Sequence, residues 1–327
     1  MARSTIAVTM GDPAGIGPEI VAAALAAEPH RAVVVGDLVR LEQALTVSRF
    51  GGRAHLRAVP SAAEARFEPG AINVIDLRNV PRDLPWGGLS EIAGAAAHAY
   101  VERAVRMALD GEVDAICTAP INKEAWRQAG IAHPGHTEAL AALTGTESYA
   151  MMLVNQKLRV VHLSTHTSLA QAIASATTER CLECVQLAAD FLSQRAGVVR
   201  PRIAVAGLNP HAGENGLLGS EDRDRLLPAV EQAQAAGIQA TGPWPADTIY
   251  VRASAGEFDA VVAPYHDQGH IPIKMIGLDT GVNVTIGLPI IRTSVDHGTA
   301  FDIAGSGQAR HANLLAALRL AEELAGG

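Results

Sequence analysis

Short apolar runs alternate with longer amphipathic segments along the whole chain. The runs Thr5–Met10, Ala32–Gly36, Ile72–Asp76, Val113–Thr118, Tyr149–Val154, Leu158–Leu163, Arg202–Gly207, Phe258–Ala263 and Val282–Ile286 are short and nearly continuous, as strands buried on both faces are. Helical periodicity falls between them, at Pro18–Glu28, Leu38–Phe50, Ser90–Asp110, Thr137–Leu143, Thr178–Arg195, Ser220–Ala236, Asp247–Ala255 and Ala309–Leu324. Pro18 suits a first helical position, Ser90 an N-cap and Gly111 a C-cap. Strands that alternate with helices predict an α/β protein with a mainly parallel sheet covered on both faces. No repeat, low-complexity tract or long linker marks a boundary, and Val80–Leu89, rich in Pro and Gly, reads as a loop within a domain. The expectation is two domains of discontinuous sequence.

Composition narrows the class. A chain of 327 residues that is 48% hydrophobic and 18% charged is an ordinary globular sequence long enough for two domains. Aromatics make up only 4%, so alanine and branched aliphatics must fill the interior. A net charge of −8 without a Lys/Arg block argues against nucleic acid as the main partner. No run reaches the roughly 18 uninterrupted apolar residues of a membrane span, and Met1–Met10 lacks the pattern of a signal segment. A cytoplasmic protein is expected. Three cysteines are too few for a disulfide framework; Cys181 and Cys184, three apart in a helical segment, read as core packing.

Candidate chemistry begins with three histidines. His166, His211 and His266 each fall just after the carboxyl end of a predicted strand, where ligands collect in open α/β sheets. Three imidazoles meeting there would hold a divalent metal with positions open for substrate. Their spacings of 45 and 55 residues match no local metal signature, so loop or capping roles stay open. His30, His55 and His311 read as solvated, and His98 and His162 as core residues. Lys274 and Arg292 are the only Lys or Arg between Val261 and Ala300, and both sit in apolar company. They must snorkel to water or find a partner, either a bound anion or an ion pair with Asp267, Asp279 or Asp296. The loop Gly11–Glu19 places glycines before a helix, where backbone N–H groups can meet an anion, but its spacing is neither G-x-G-x-x-G nor a P-loop.

Read together, Thr9–Glu19 (TMGDPAGIGPE), Gly135–Glu138 (GHTE), Ser164–Thr167 (STHT), Leu208–Glu214 (LNPHAGE), Pro245–Thr248 (PADT), Tyr265–Gly269 (YHDQG), Gly281–Pro289 (GVNVTIGLP) and Arg292–Thr299 (RTSVDHGT) carry a resemblance. Over essentially its full length the chain resembles the 4-hydroxythreonine-4-phosphate dehydrogenase family of pyridoxal phosphate biosynthesis. The resemblance implies an isocitrate/isopropylmalate dehydrogenase-like fold: two α/β/α domains, a mainly parallel sheet and a cleft between them. The expected division is 1–130 plus 295–327, and 131–294 with the metal ligands and the dimer interface. It further implies a homodimer with a divalent cation (Zn, Mg, Mn or Co) at the subunit interface, bound by His166, His211 and His266 from both subunits. His136, Thr137, Lys274, Asn283 and Arg292 look like substrate contacts. The co-substrate would be NAD, or NADP in its place, with no residues assigned to it. The implied reaction is oxidation of a secondary hydroxyl with decarboxylation, for which Asp247 is the candidate proton acceptor; the bland alternative is a helix cap.

One stretch departs from the biosynthetic pattern. His270–Thr280 (HIPIKMIGLDT) looks more like a catabolic branch that oxidises 4-phospho-D-threonate or 4-phospho-D-erythronate. Those acids carry hydroxyl at C2 where the biosynthetic substrate carries amino, and His270 is placed to read that substituent. A metal-dependent hydrolase would use the same histidines and release phosphate, and a non-catalytic phosphometabolite-binding protein would turn nothing over.

Overall fold

The computed structural model describes residues 4–277 and 280–326. In chain order the elements open with β1 (Ile6–Thr9), α1 (Gly17–Ala27), β2 (Ala32–Gly36), α2 (Leu38–Val47), β3 (His55–Ala58), β4 (Ala71–Asp76), α3 (Glu91–Leu109), β5 (Ala115–Thr118), α4 (Lys123–Gln128) and α5 (His136–Thr144). There follow β6 (Ala150–Val154), β7 (Arg159–His162), α6 (Leu169–Ser175), α7 (Thr178–Gln194), β8 (Arg202–Ala206), α8 (Leu227–Ala235), β9 (Gln239–Trp244) and α9 (Ala246–Ser254). The chain closes with β10 (Ala260–Ala263), α10 (His266–Ile276), β11 (Val282–Ile286), β12 (Ile291–Val295) and α11 (Ala312–Gly326). No helix among the described residues is long and apolar enough to cross a membrane.

The chain divides into two compact units, Met1–Glu147 with Leu288–Gly326, and Ser148–Gly287. Unit one is built on strands in the order β3-β4-β2-β1-β5-β12, every neighbouring pair parallel. Unit two has the order β11-β6-β7-β10-β8-β9. Its β11, β6 and β7 pair antiparallel, and the rest are parallel. The expected boundaries move. Residue 130 follows α4 directly, but α5 packs with α3 and belongs to unit one. The boundary at 294/295 would cut β12, whose parallel pairing with β5 (Arg292 opposite Ile116) draws it into unit one.

The Gly-rich first loop is a packing device. A Cβ on Gly11 would lie 2.5 Å from the Pro120 carbonyl, one on Gly15 2.8 Å from the Thr299 side chain, and one on Gly17 2.3 Å from the Met10 carbonyl. The whole stretch from Ile6 to Ala24 is buried, so these glycines admit neighbouring backbone instead of an anion. Glu19 then fastens the segment before α11, accepting from Gly305 N at 2.6 Å and Gly307 N at 2.7 Å. Arg40, 2% exposed, donates to the Pro13 and Leu84 carbonyls and lies 3.4 Å from the centroid of Trp86, which shapes the Val80–Leu89 loop.

Candidate functional site

In unit one, Arg292 extends from β12 beside the carboxyl end of β5. It is 2% exposed, and its Nε and Nη2 donate to Thr118 Oγ1 at 3.2 and 2.8 Å. Burial lowers its pKa to about 10, so the guanidinium stays charged at neutral pH. The carboxylate whose charge it feels is Glu138; Asp279, one of the partners expected from sequence, lies outside the described residues. His136 is the first residue of α5 and Thr137 the second, behind Gly135, which offers no side-chain cap. The His136 ring meets the edge of Trp126 at 5.7 Å. Burial, followed by the charges of Arg292 and Lys123, holds this imidazole well below its ordinary pKa and therefore neutral. Its Nε2 is buried without a hydrogen-bond partner. A buried guanidinium, a neutral imidazole and an uncapped helix start together suit an anionic group bearing hydroxyls.

In unit two, α10 carries the chemistry. His266, His270 and Lys274 recur every four residues and so share one face of the helix. The His266 and His270 rings stack 3.6 Å apart at 14°, and His166, from the loop after β7, approaches His266 at 6.0 Å. His266 Nδ1 donates to Asp267 Oδ1 at 2.7 Å, which leaves the Nε2 lone pair available to a cation. His270 Nδ1 donates to the His266 carbonyl at 3.0 Å. Beneath them His162, 1% exposed, lies 4.7 Å from His270. Burial, followed by the charge of His270, pushes its imidazole down to about 3. Gly269 makes the close approach feasible, since a Cβ there would sit 2.4 Å from His162 Nε2. A cavity of about 550 Å³ opens beside the pair, lined by Thr165, His166, Thr167, Tyr265, His266 and Asp267.

The other expected residues fall as follows. His211 is exposed on a separate loop after β8. Among the described residues no three His, Cys, Asp or Glu are grouped to hold a metal within one chain. A single chain thus juxtaposes His166 and His266 and leaves His211 apart. Asn283 is half-buried on β11 with its Oδ1 buried and unpartnered, and Lys274 is half-buried in the last turn of α10. Asp247 is exposed in the first turn of α9; the cap position belongs to Pro245, so the capping alternative fails. His30 is not solvated: its side chain is 5% exposed and Nδ1 meets Glu322 at 2.9 Å. The sequence reading missed α10 itself and the place of His162 beneath it. The four-residue recurrence of His266, His270 and Lys274 was the available signal, masked by Gly269 and Pro272, which read as helix breakers.

The chain matches the family described as "Pyridoxal phosphate biosynthetic protein PdxA" over residues 28–321. It is 52% identical to the D-threonate 4-phosphate dehydrogenase of Cupriavidus necator, covering 98% of this chain and 97% of that one. It is 47% identical to the 4-hydroxythreonine-4-phosphate dehydrogenase of Desulfosudis oleivorans, covering 98% and 95%. The crystal structure of 4-hydroxythreonine-4-phosphate dehydrogenase from Klebsiella pneumoniae superposes with a TM-score of 0.93 at 48% identity, covering 99% and 98%.

Proposed function

The chain belongs to the family of pyridoxal phosphate biosynthetic protein PdxA, and from that premise we propose that it is a nicotinamide-dependent dehydrogenase of 4-phosphorylated hydroxy acids, with D-threonate 4-phosphate as the preferred substrate. The observation that carries this choice is the 52% identity to a D-threonate 4-phosphate dehydrogenase across 98% of the chain. His270 supports it: stacked on His266 with Nδ1 committed to a carbonyl, it offers Nε2 to a C2 hydroxyl as an acceptor.

The donor set fits a divalent cation. His266 has the tautomer a ligand needs, His166 stands beside it, and His211 is exposed on its loop. Exposed apolar side chains occur on the same loops or helix, further along the sequence: Leu169 at 57%, Leu217 at 77% and Met275 at 83%. Such residues favour a homodimer in which His166, His211 and His266 of two subunits complete shared metal sites. A bound Zn, Mg, Mn or Co ion would lower the pKa of a substrate hydroxyl and polarise its carboxylate.

The chain's own residues do the rest. Arg292 clamps an anionic group of the substrate, Thr137 and neutral His136 bond its oxygens, and Lys274 and Asn283 hold the remainder. Asp247 is the candidate base for the C3 hydroxyl proton, and a bound NAD or NADP would supply the acceptor for the C3 hydride. The resulting 3-keto acid loses its carboxylate as CO2; the electron pair stays on C2, which takes up a proton. The product from D-threonate 4-phosphate is dihydroxyacetone phosphate. Spectrophotometry with the two candidate substrates tests this: NADH and dihydroxyacetone phosphate should appear in equal amounts, at least tenfold faster than turnover of 4-hydroxythreonine 4-phosphate. Chelation should abolish the signal. Equal efficiency on both substrates would refute the His270 assignment, and full turnover after chelation would refute the metal.

A further inference from the structure

The loop that carries His211 has an unusual backbone. His211 (φ 53°, ψ 27°), Ala212 (52°, 43°), Gly213 (78°, −6°), Glu214 (43°, 58°) and Asn215 (58°, 26°) form a left-handed turn. Four of these five residues carry a Cβ that disfavours this region. Such a run persists only where its surroundings over-determine it.

What surrounds it is one carboxylate. Asp222 is 1% exposed. Its Oδ1 accepts from Leu208 N at 2.6 Å, and its Oδ2 accepts from Asn209 N at 3.0 Å and Asn209 Nδ2 at 2.9 Å. It also touches the turn from inside: a Cβ on Gly207 would lie 3.1 Å from Oδ1, and one on Gly213 3.4 Å from Oδ2. The carboxylate is therefore packed between Gly207, four residues before the turn begins, and Gly213 at its centre. Asp222 reaches this position from a π-helical turn, Asp222–Leu226, that leads into α8. Irregular helix of this kind is frequent at functional sites. The loop is also tied to the helix of His266, because Gln268 Nε2 donates to the Gly207 carbonyl at 2.7 Å.

We propose that Asp222 is a positioning residue for His211, its carboxylate holding the left-handed turn that presents the imidazole to a shared cation. The proposal rests on the metal reading given above. An acid is required because three N–H donors converge on its two oxygens; an amide of the same shape would turn an NH2 group toward one of them. A buried carboxylate with three donors also needs no cationic partner.

The test uses cobalt as the probe on the full-length protein. Co2+ binding is measured by calorimetry and by the visible absorption of the bound ion in wild type, Asp222→Asn, His211→Ala and the double variant, with melting temperature and dimer mass recorded alongside. Asp222→Asn is expected to weaken Co2+ binding 10–100-fold and to alter its absorption bands, the range seen when supporting hydrogen bonds of metal ligands are removed. In the His211→Ala background the same substitution should change binding less than twofold, because its whole effect passes through that imidazole. Wild-type affinity in Asp222→Asn, or an equal loss in both backgrounds, overturns the proposal. Should Asp222→Asn not fold, Asn209→Ala removes one of the three donors; a several-fold weakening supports the proposal, and unchanged binding overturns it. Wild-type protein that binds no Co2+, or His211→Ala that binds it normally, overturns the metal reading and the proposal with it.

Discussion

The two units solve opposite problems. Unit one buries its chemistry inside one chain: Arg292 is 2% exposed and satisfied in part by Thr118, while neutral His136 sits against Trp126. Unit two displays its chemistry: His166 and His211 are exposed, and the His266 side chain is 35% exposed. On the proposed function, the difference follows from what each would bind. A guanidinium meant for an anion gains by being dry and fixed in advance, because its charge-assisted bonds strengthen as water is excluded. Imidazoles meant for a cation that a second subunit helps to hold must remain at the surface until that subunit arrives. On the proposed dimer, the incompleteness of the metal site in unit two is a property of the single chain.

The largest effect should come from breaking unit one. Arg292→Met removes the buried guanidinium and is expected to lower kcat/KM by about 10³-fold, the equivalent of roughly two charge-assisted hydrogen bonds. Arg292→Lys should restore only about tenfold of this, since a point charge does not replace a planar fork. Co2+ binding should be unchanged in both variants. A parallel loss of Co2+ affinity would show that the division of labour between the units is wrong.

How much of this could be read from sequence differs between the units for a physical reason. Continuous apolar runs mark fully buried strands, so all nine predicted strands are found within two residues at either end, Ala32–Gly36 and Val282–Ile286 without change. The strands that escaped are those whose pattern is diluted. His55–Ala58 is an edge strand with exposed ends, Gln239–Trp244 contains Gly and Pro, and Ile291–Val295 carries the buried Arg292. Helix α10 escaped because Gly269 and Pro272 interrupt it, yet that glycine is the position that admits His162. His166, His211 and His266 were legible as candidates because strand ends are where ligands gather. Asp222 was not: nothing local links it to His211, and its role exists only once the loop has folded back onto it.

A smaller effect probes the exposed face of unit two. Met275, 83% exposed on the helix of His266, has Ile271 at 56% one turn before it. Met275→Glu is expected to weaken self-association about 100-fold, close to 3 kcal/mol, and to lower Co2+ affinity with it, while leaving the melting behaviour of the monomer intact. Analytical ultracentrifugation over a concentration series checks this. A dimer of undiminished strength would place the interface elsewhere, and the exposed histidines would then need another explanation.

The smallest effect concerns pH, where the units again differ in sign. Asp12 is fully buried in unit one, and burial raises its carboxyl from 3.8 to about 6. The folded state therefore holds this proton more tightly than the unfolded chain does, so stability falls as pH rises from about 4 to about 6. His162 in unit two is the reverse. Burial lowers its imidazole from 6.5 to about 3, so its contribution is complete above about 6.5 and is lost as pH falls. Asp12→Asn removes only the first of these. It keeps the side-chain oxygen that accepts from Ala14 N at 2.8 Å and abolishes the buried charge. We expect the variant to be more stable than wild type by about 2 kcal/mol near pH 8, with the advantage gone near pH 4. Urea unfolding at the two pH values measures it. A constant difference across that range would mean that the Asp12 carboxyl, despite its buried and unpartnered Oδ2, has the same pKa in the folded and unfolded states.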